Sequence, residues 1–119
     1  SKERGHNHAN NSLVSVLDNG NDYEFRMIGK AHVEAYGSSY QGKRLSDVMR
    51  ASPHFARQLK ASYEMVRTAC RPIAFRGIIG RDASESRFAW FETAYFPFGA
   101  NGDVVDHILN AAIYRAELD

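Results

Sequence analysis

What this sequence has little of narrows its function before any motif is read. Cys70 is the single cysteine in 119 residues, so no internal disulfide can form and a reducing, cytoplasmic setting is the simplest expectation. Charge of one sign is missing as well. Fifteen basic residues against 14 acidic ones leave a net +1, and so even a balance sets up no field that would gather nucleic acid or an anionic membrane. No apolar run approaches the ~20 residues of a membrane-spanning helix. Ser1 to Ser12 lack the apolar segment of a signal peptide. The chain does not begin with Met, which suggests a cut from a longer protein or a processed product.

What is present suits a globular domain. The hydrophobic fraction is 44%, too high for a disordered chain. The length is near the commonest for one domain, and such a chain buries roughly two-thirds of its unfolded surface. That leaves room for one small internal pocket beside the packing.

Along the chain, residues 1–12 are mostly polar and read as an arm or linker. Leu13 to Leu17 and Tyr23 to Ile28 read as two strands joined through Asn19-Gly20, a pair that tolerates the positive φ of a tight turn. Between Gly29 and Gly37 lie two turns of expected helix, with His32 and Tyr36 on one face. Leu45, Val48 and Met49 mark another short helix. Ser52-Pro53 opens the clearest helix, Ser52 as cap and Pro53 in the first turn. Phe55, Leu59, Tyr63, Val66 and Cys70 form its buried stripe, and Arg57, Lys60, Glu64, Arg67 and Arg71 a solvated face with Lys60–Glu64 and Glu64–Arg67 pairing. Arg71-Pro72 should end it. Ile73 to Ile79, Arg87 to Phe98 and Val104 to Tyr114 are the remaining strands. The expected fold class is α+β: a five-stranded antiparallel sheet with helices packed on one face.

No catalytic set is legible, and the expectation is a protein that senses or binds rather than an enzyme. His6 and His8 make no closed metal site. Cys70, ending an apolar stripe near a helix C-terminus, reads as structural. Covalent haem would need Cys-x-x-Cys-His, which is absent, and His54 reads as a surface residue. Asp106 and His107, taken as neighbours in one strand, should point to opposite faces and form no dyad. Glu34 and Glu92 are the remaining acid–base candidates, each more simply a solvated charge. The aromatic strand Phe88 to Phe98 lacks the basic field that RNA stacking requires. A core or dimer face suits it better.

The order of elements, with several residues in it, resembles a PAS domain over about residues 13–115, followed by a short exit at 116–119. The pattern runs through Ile28 to Gly37, then Gly42-Lys43-Arg44-Leu45-Ser46-Asp47-Val48, then the helix Pro53 to Cys70, then a three-strand meander with Glu92, Pro97 and Gly102. The segment Asp22 to Gly29, with Tyr36-Gly37…Gly42, is similar to the variant common in alphaproteobacteria. Gly29 stands where PAS domains often carry Asn, and Ile113-Tyr114-Arg115-Ala116-Glu117 departs from the usual Asp-Ile-Thr-like exit.

The resemblance implies a bacterial signal-transduction domain that holds a small ligand between helices and sheet and regulates an attached output or a signalling partner. The implied site residues are His32, Tyr36, Phe55, Tyr63, Phe91, Thr93 and Tyr95, with Arg26 pairing an anionic ligand or a structural carboxylate. The Asn-Cys-Arg context of the flavin-binding subclass is absent, and no haem ligand set stands out, so neither haem nor flavin is indicated and the cofactor is left open. The alternative keeps the fold without a ligand, as a homodimerisation module using the outer sheet face or the N-terminal arm. A small cone-shaped α+β enzyme is disfavoured because its long helices would come first.

Overall fold

The computed structural model describes residues 7–30, 40–78, 88–102 and 104–116. Strand β1 (Asn7–Leu17) and strand β2 (Asp22–Ile28) are joined by a tight 3-10 turn. Asp18, Asn19 and Gly20 all take positive φ there, at 49°, 57° and 95°, the backbone the Asn-Gly pair was expected to supply. Helix α1 (Leu45–Ala51) and helix α2 (Pro53–Ala69) follow, then β3 (Ile73–Ile78), β4 (Phe88–Phe98) and β5 (His107–Ala116).

The five strands form one sheet in the order β2-β1-β5-β4-β3. Every pairing is antiparallel. This is the α+β sheet with helices on one side that the sequence implied. The first and last strands meet at its centre, so residues far apart in sequence become neighbours there. Along β5, Ile108, Asn110 and Ala112 are buried, while His107 and Ile113 on the other phase are exposed. That alternation sends one set of side chains to the helices and the other outward. Helix α2 packs against β4 and β5, and α1 against β2.

The core is an aromatic chain. Phe25 and Tyr40 have ring centroids 5.9 Å apart, and Tyr40 and Phe55 5.8 Å. Tyr23 lies 4.9 Å from Tyr63, which meets Tyr95 edge-on at 5.7 Å, and Phe75 meets Tyr95 at 5.6 Å. Tilted and edge-on contacts of this kind suit the quadrupoles of the rings. Four members of the expected α2 stripe, Phe55, Leu59, Tyr63 and Val66, are buried as read.

Several expectations need correction. Strand β1 begins at Asn7, inside the segment read as an arm, because Asn7 to Ser12 pair with Arg115 to Asn110 of β5. Cys70 does not close the buried stripe. Helix α2 stops at Ala69, and Cys70 caps it in the left-handed region at φ 55°, exposed, its amide bonded to the Val66 carbonyl at 3.0 Å. Pro72 explains the stop, since the residue before a proline is pushed out of the helical region. Ser52 caps α2 with no side-chain hydrogen bond. The last strand starts at His107 rather than Val104. Of the short helix expected between Gly29 and Gly37, only Lys30 is among the described residues; the rest lies outside them. No helix among the described residues is long and apolar enough to cross a membrane.

Candidate functional site

The helix-facing side of the sheet carries a buried polar row inside an otherwise apolar core. Ser12, Asn110 and Thr93, on the adjacent strands β1, β5 and β4, are 3%, 6% and 8% exposed. The Ser12 hydroxyl donates to Asn110 Oδ1 at 3.3 Å. Asn110 Nδ2 donates to Thr93 Oγ1 and to the Ala94 carbonyl, the latter at 3.2 Å. Thr93 Oγ1 in turn donates to the Ala111 carbonyl at 3.4 Å. Tyr95 extends the row beneath α2. Burial pushes its phenol up to about 12, against the opposite pull of hydrogen bonds with Ser62 and Thr93. Polar groups kept this dry must be paired to be tolerated, and the row meets that requirement by holding itself together across three strands.

A second polar cluster ties the β1–β2 turn to α2. The buried Tyr23 hydroxyl donates to Glu64 Oε2, and Arg67 Nη2 donates to Glu64 Oε1 at 2.7 Å. The Arg67 guanidinium holds the Glu64 carboxyl below its ordinary range, although partial burial works against it. Burial, reinforced by the bond to Glu64, raises the Tyr23 phenol. Glu64 was read as part of a solvated face. Its i,i+3 pairing with Arg67 is present, but the pair also clamps Tyr23.

The implied site residues fall into three groups. Phe55, Tyr63, Thr93 and Tyr95 share the interior between α2 and the sheet. Arg26 lies on the surface of β2, its side chain 56% exposed and its guanidinium 3.4 Å from Glu24. His32 and Tyr36, like Glu34, lie outside the described residues, as does the side chain of Phe91. Glu92 is exposed on the outer face. Asp106 and His107 overturn the expectation that they point apart. Asp106 precedes the strand, is free of its alternation, and accepts from His107 Nδ1 at 2.8 Å. That bond lowers the Asp106 carboxyl. Both side chains are about half exposed.

Ser12 and Asn110 were not singled out from the sequence. The signal for them is phase. Ser12 shares the face of Val14, and Asn110 that of Ile108 and Ala112, so each is a polar residue on the inward beat of a strand.

The outer face of the sheet holds a cavity of about 650 Å3. Ala74, Ala94, Ala111 and Asn11 stand side by side across β3, β4, β5 and β1 and line it, with Arg76, Glu92 and Ile113 along one margin. A smaller cavity of about 270 Å3 lies beside α1, between Tyr40, Lys43, Asp47, Val48 and Ala51. Among the described residues no three His, Cys, Asp or Glu side chains gather where a metal could sit.

The fold has a solved counterpart. The chain is similar to a domain of a protein described as a light and redox sensing histidine kinase from Haloarcula marismortui. The match covers 95% of this chain and 92% of that one, with a TM-score of 0.57 and 13% sequence identity. An identity so low carries the fold alone. No family model and no curated protein sequence matches the chain.

Proposed function

We propose that this chain is a PAS-type sensory domain that binds a small ligand between α2 and the sheet and passes the resulting change to an attached output or a signalling partner. The observation that carries this reading is the buried row Ser12–Asn110–Thr93, continued by Tyr95. A core built for stability alone would favour apolar side chains there, because each polar group must be kept paired at a desolvation cost. A self-paired row can exchange an internal hydrogen bond for one to a ligand. Ligand would then favour one packing of α2 on the sheet over another. The likeness to a sensor-kinase domain over nearly the whole of both chains supports the same reading by analogy.

The test is native mass spectrometry of the purified protein, an absorption spectrum for haem or flavin, and a melting screen against small metabolites. The expected result is a bound species or a stabilised melt, weakened about fivefold in affinity by Thr93→Val, since one hydrogen bond contributes roughly 1 kcal/mol. Nothing bound in any assay would sink the ligand reading. A second reading, a ligand-free interaction module, is favoured by one feature: a cavity of about 650 Å3 lies on the sheet face away from the helices.

A further inference from the structure

Three tyrosines stand in series through the interior. Tyr95 of β4 meets Tyr63 of α2 at 5.7 Å between ring centroids, and Tyr63 meets Tyr23 of β2 at 4.9 Å. They are 6%, 2% and 0% exposed. Rings in contact at such distances can pass an electron from one to the next. Their burial also keeps water and small reductants from a radical formed on them. Phenylalanine would fill the same space, but its ring is far harder to oxidise than a phenol. The series is therefore a chemical feature as well as a packed one.

The two ends of the series differ in what can take a proton. A phenol that loses an electron becomes a strong acid, and the oxidised state is held where that proton can leave. At Tyr95 the hydroxyl has Ser62 and Thr93 as hydrogen-bonding neighbours, alcohols too weakly basic to accept it. At Tyr23 the hydroxyl donates to Glu64 Oε2. Glu64 is ionised at neutral pH, because the Arg67 guanidinium, 2.7 Å from its other oxygen, holds its carboxyl below the ordinary range. A base is thus already in hydrogen-bond contact with the proton, the geometry that transfer requires. Loss of the electron takes the Tyr23–Glu64–Arg67 cluster from neutral to one positive charge. The Glu64 and Arg67 side chains, 34% and 25% exposed, carry that charge to the water boundary, where it is stabilised far better than in the core.

We infer that Tyr23 is a one-electron oxidation site, fed through Tyr95 and Tyr63, with Glu64 as its proton acceptor. In this step one electron leaves the Tyr23 ring for a one-electron oxidant, such as a photo-generated metal complex. The Tyr23 O–H bond breaks and the proton joins Glu64 Oε2. The products are a neutral tyrosyl radical, a neutral carboxylic acid and the reduced oxidant. The inference is independent of any ligand between α2 and the sheet. Flash photolysis tests it, with ruthenium tris-bipyridine as photo-oxidant and a cobalt(III) ammine as terminal electron acceptor. The wild type should give a persistent tyrosyl radical, read by its absorption and by electron paramagnetic resonance, and Tyr23→Phe should abolish it. Glu64→Gln keeps a hydrogen-bond acceptor but removes the base, and should slow radical formation at least ~100-fold. Tyr63→Phe breaks the series and should also slow it. The inference is overturned by a wild type with no persistent radical, by the same radical in Tyr23→Phe, or by formation at the wild-type rate in Glu64→Gln. An unchanged rate in Tyr63→Phe overturns the relay.

Discussion

At residue scale Gly20 is held by both its backbone and its surroundings. Its φ of 95° lies where side chains are rarely tolerated. A Cβ built there would collide with Nε and Cζ of Arg67. Arg67 cannot readily yield, because its Nη2 holds Glu64, which takes the Tyr23 hydroxyl. Its own Nε is buried without an acceptor among the described residues. Gly20→Ala should therefore cost about 1–3 kcal/mol, the range of a strained backbone residue, read as a lowered urea midpoint. A midpoint unchanged within error would mean that the turn relaxes freely. The phenols make a second prediction at this scale. Tyr23 and Tyr95 both titrate above the ordinary tyrosine value of 10.0, Tyr95 at about 12. Below 10 both are neutral whether the chain is folded or not. Above it the unfolded chain releases protons that the folded chain still holds, so stability must fall as pH rises from 10. Melting temperature should drop across that alkaline window, and more shallowly for Tyr23→Phe and Tyr95→Phe. An undiminished slope in the double variant would place the titrating groups elsewhere.

Among the elements, α2 is the best specified by its residues. Pro53 starts it, Phe55, Leu59, Tyr63 and Val66 bury one face, and Pro72 forces its end. Every one of those signals is local, and every one is legible in the sequence. Cys70 was misplaced because period alone continues a stripe one turn past the point where the backbone leaves the helix. The structure puts it at φ 55°, a conformation costing a residue with a Cβ about 1 kcal/mol. Cys70→Gly should stabilise the domain by about 0.5–1 kcal/mol, since glycine's greater freedom when unfolded offsets part of the gain. Thermal unfolding measures this, and a destabilised variant would show that the cysteine side chain contributes more than the cap costs. The strands were legible to the extent that they alternate. Ser12 and Asn110 show the limit. Their phase is local, but their value as a hydrogen-bonded pair depends on β1 lying beside β5, 98 residues apart in sequence. Asp106 and His107 show another limit, since the strand start decides whether neighbours diverge, and the Gly99 to Gly102 turn hides that start.

For the whole molecule, the first strand and the last form the seam at the sheet's centre. Polar composition made residues 1–12 look dispensable, yet Asn7 to Ser12 run antiparallel to Asn110 to Arg115. A sequence search for a core passes over such a stretch, because backbone pairing needs no apolar side chain. Removing residues 1–12 would strip β5 of about two-thirds of its β1 pairing and leave Asn110 Oδ1 without the Ser12 hydroxyl. An interior strand would become a half-open edge between β4 and what is left of β1. The truncated chain, starting at Leu13, should lose more than about 2 kcal/mol, counting several hydrogen bonds at roughly 0.5–1.5 kcal/mol each. Chemical denaturation with amide exchange on β5 is the measurement. Protection at Ala111 and Ala112 should fall towards that of an edge strand, while α2, held by its own apolar stripe, keeps most of its own. If the truncated chain instead unfolds at the wild-type midpoint with β5 amides still protected, the seam is not where the sheet's stability resides, and the sheet is held by the β3–β4–β5 meander.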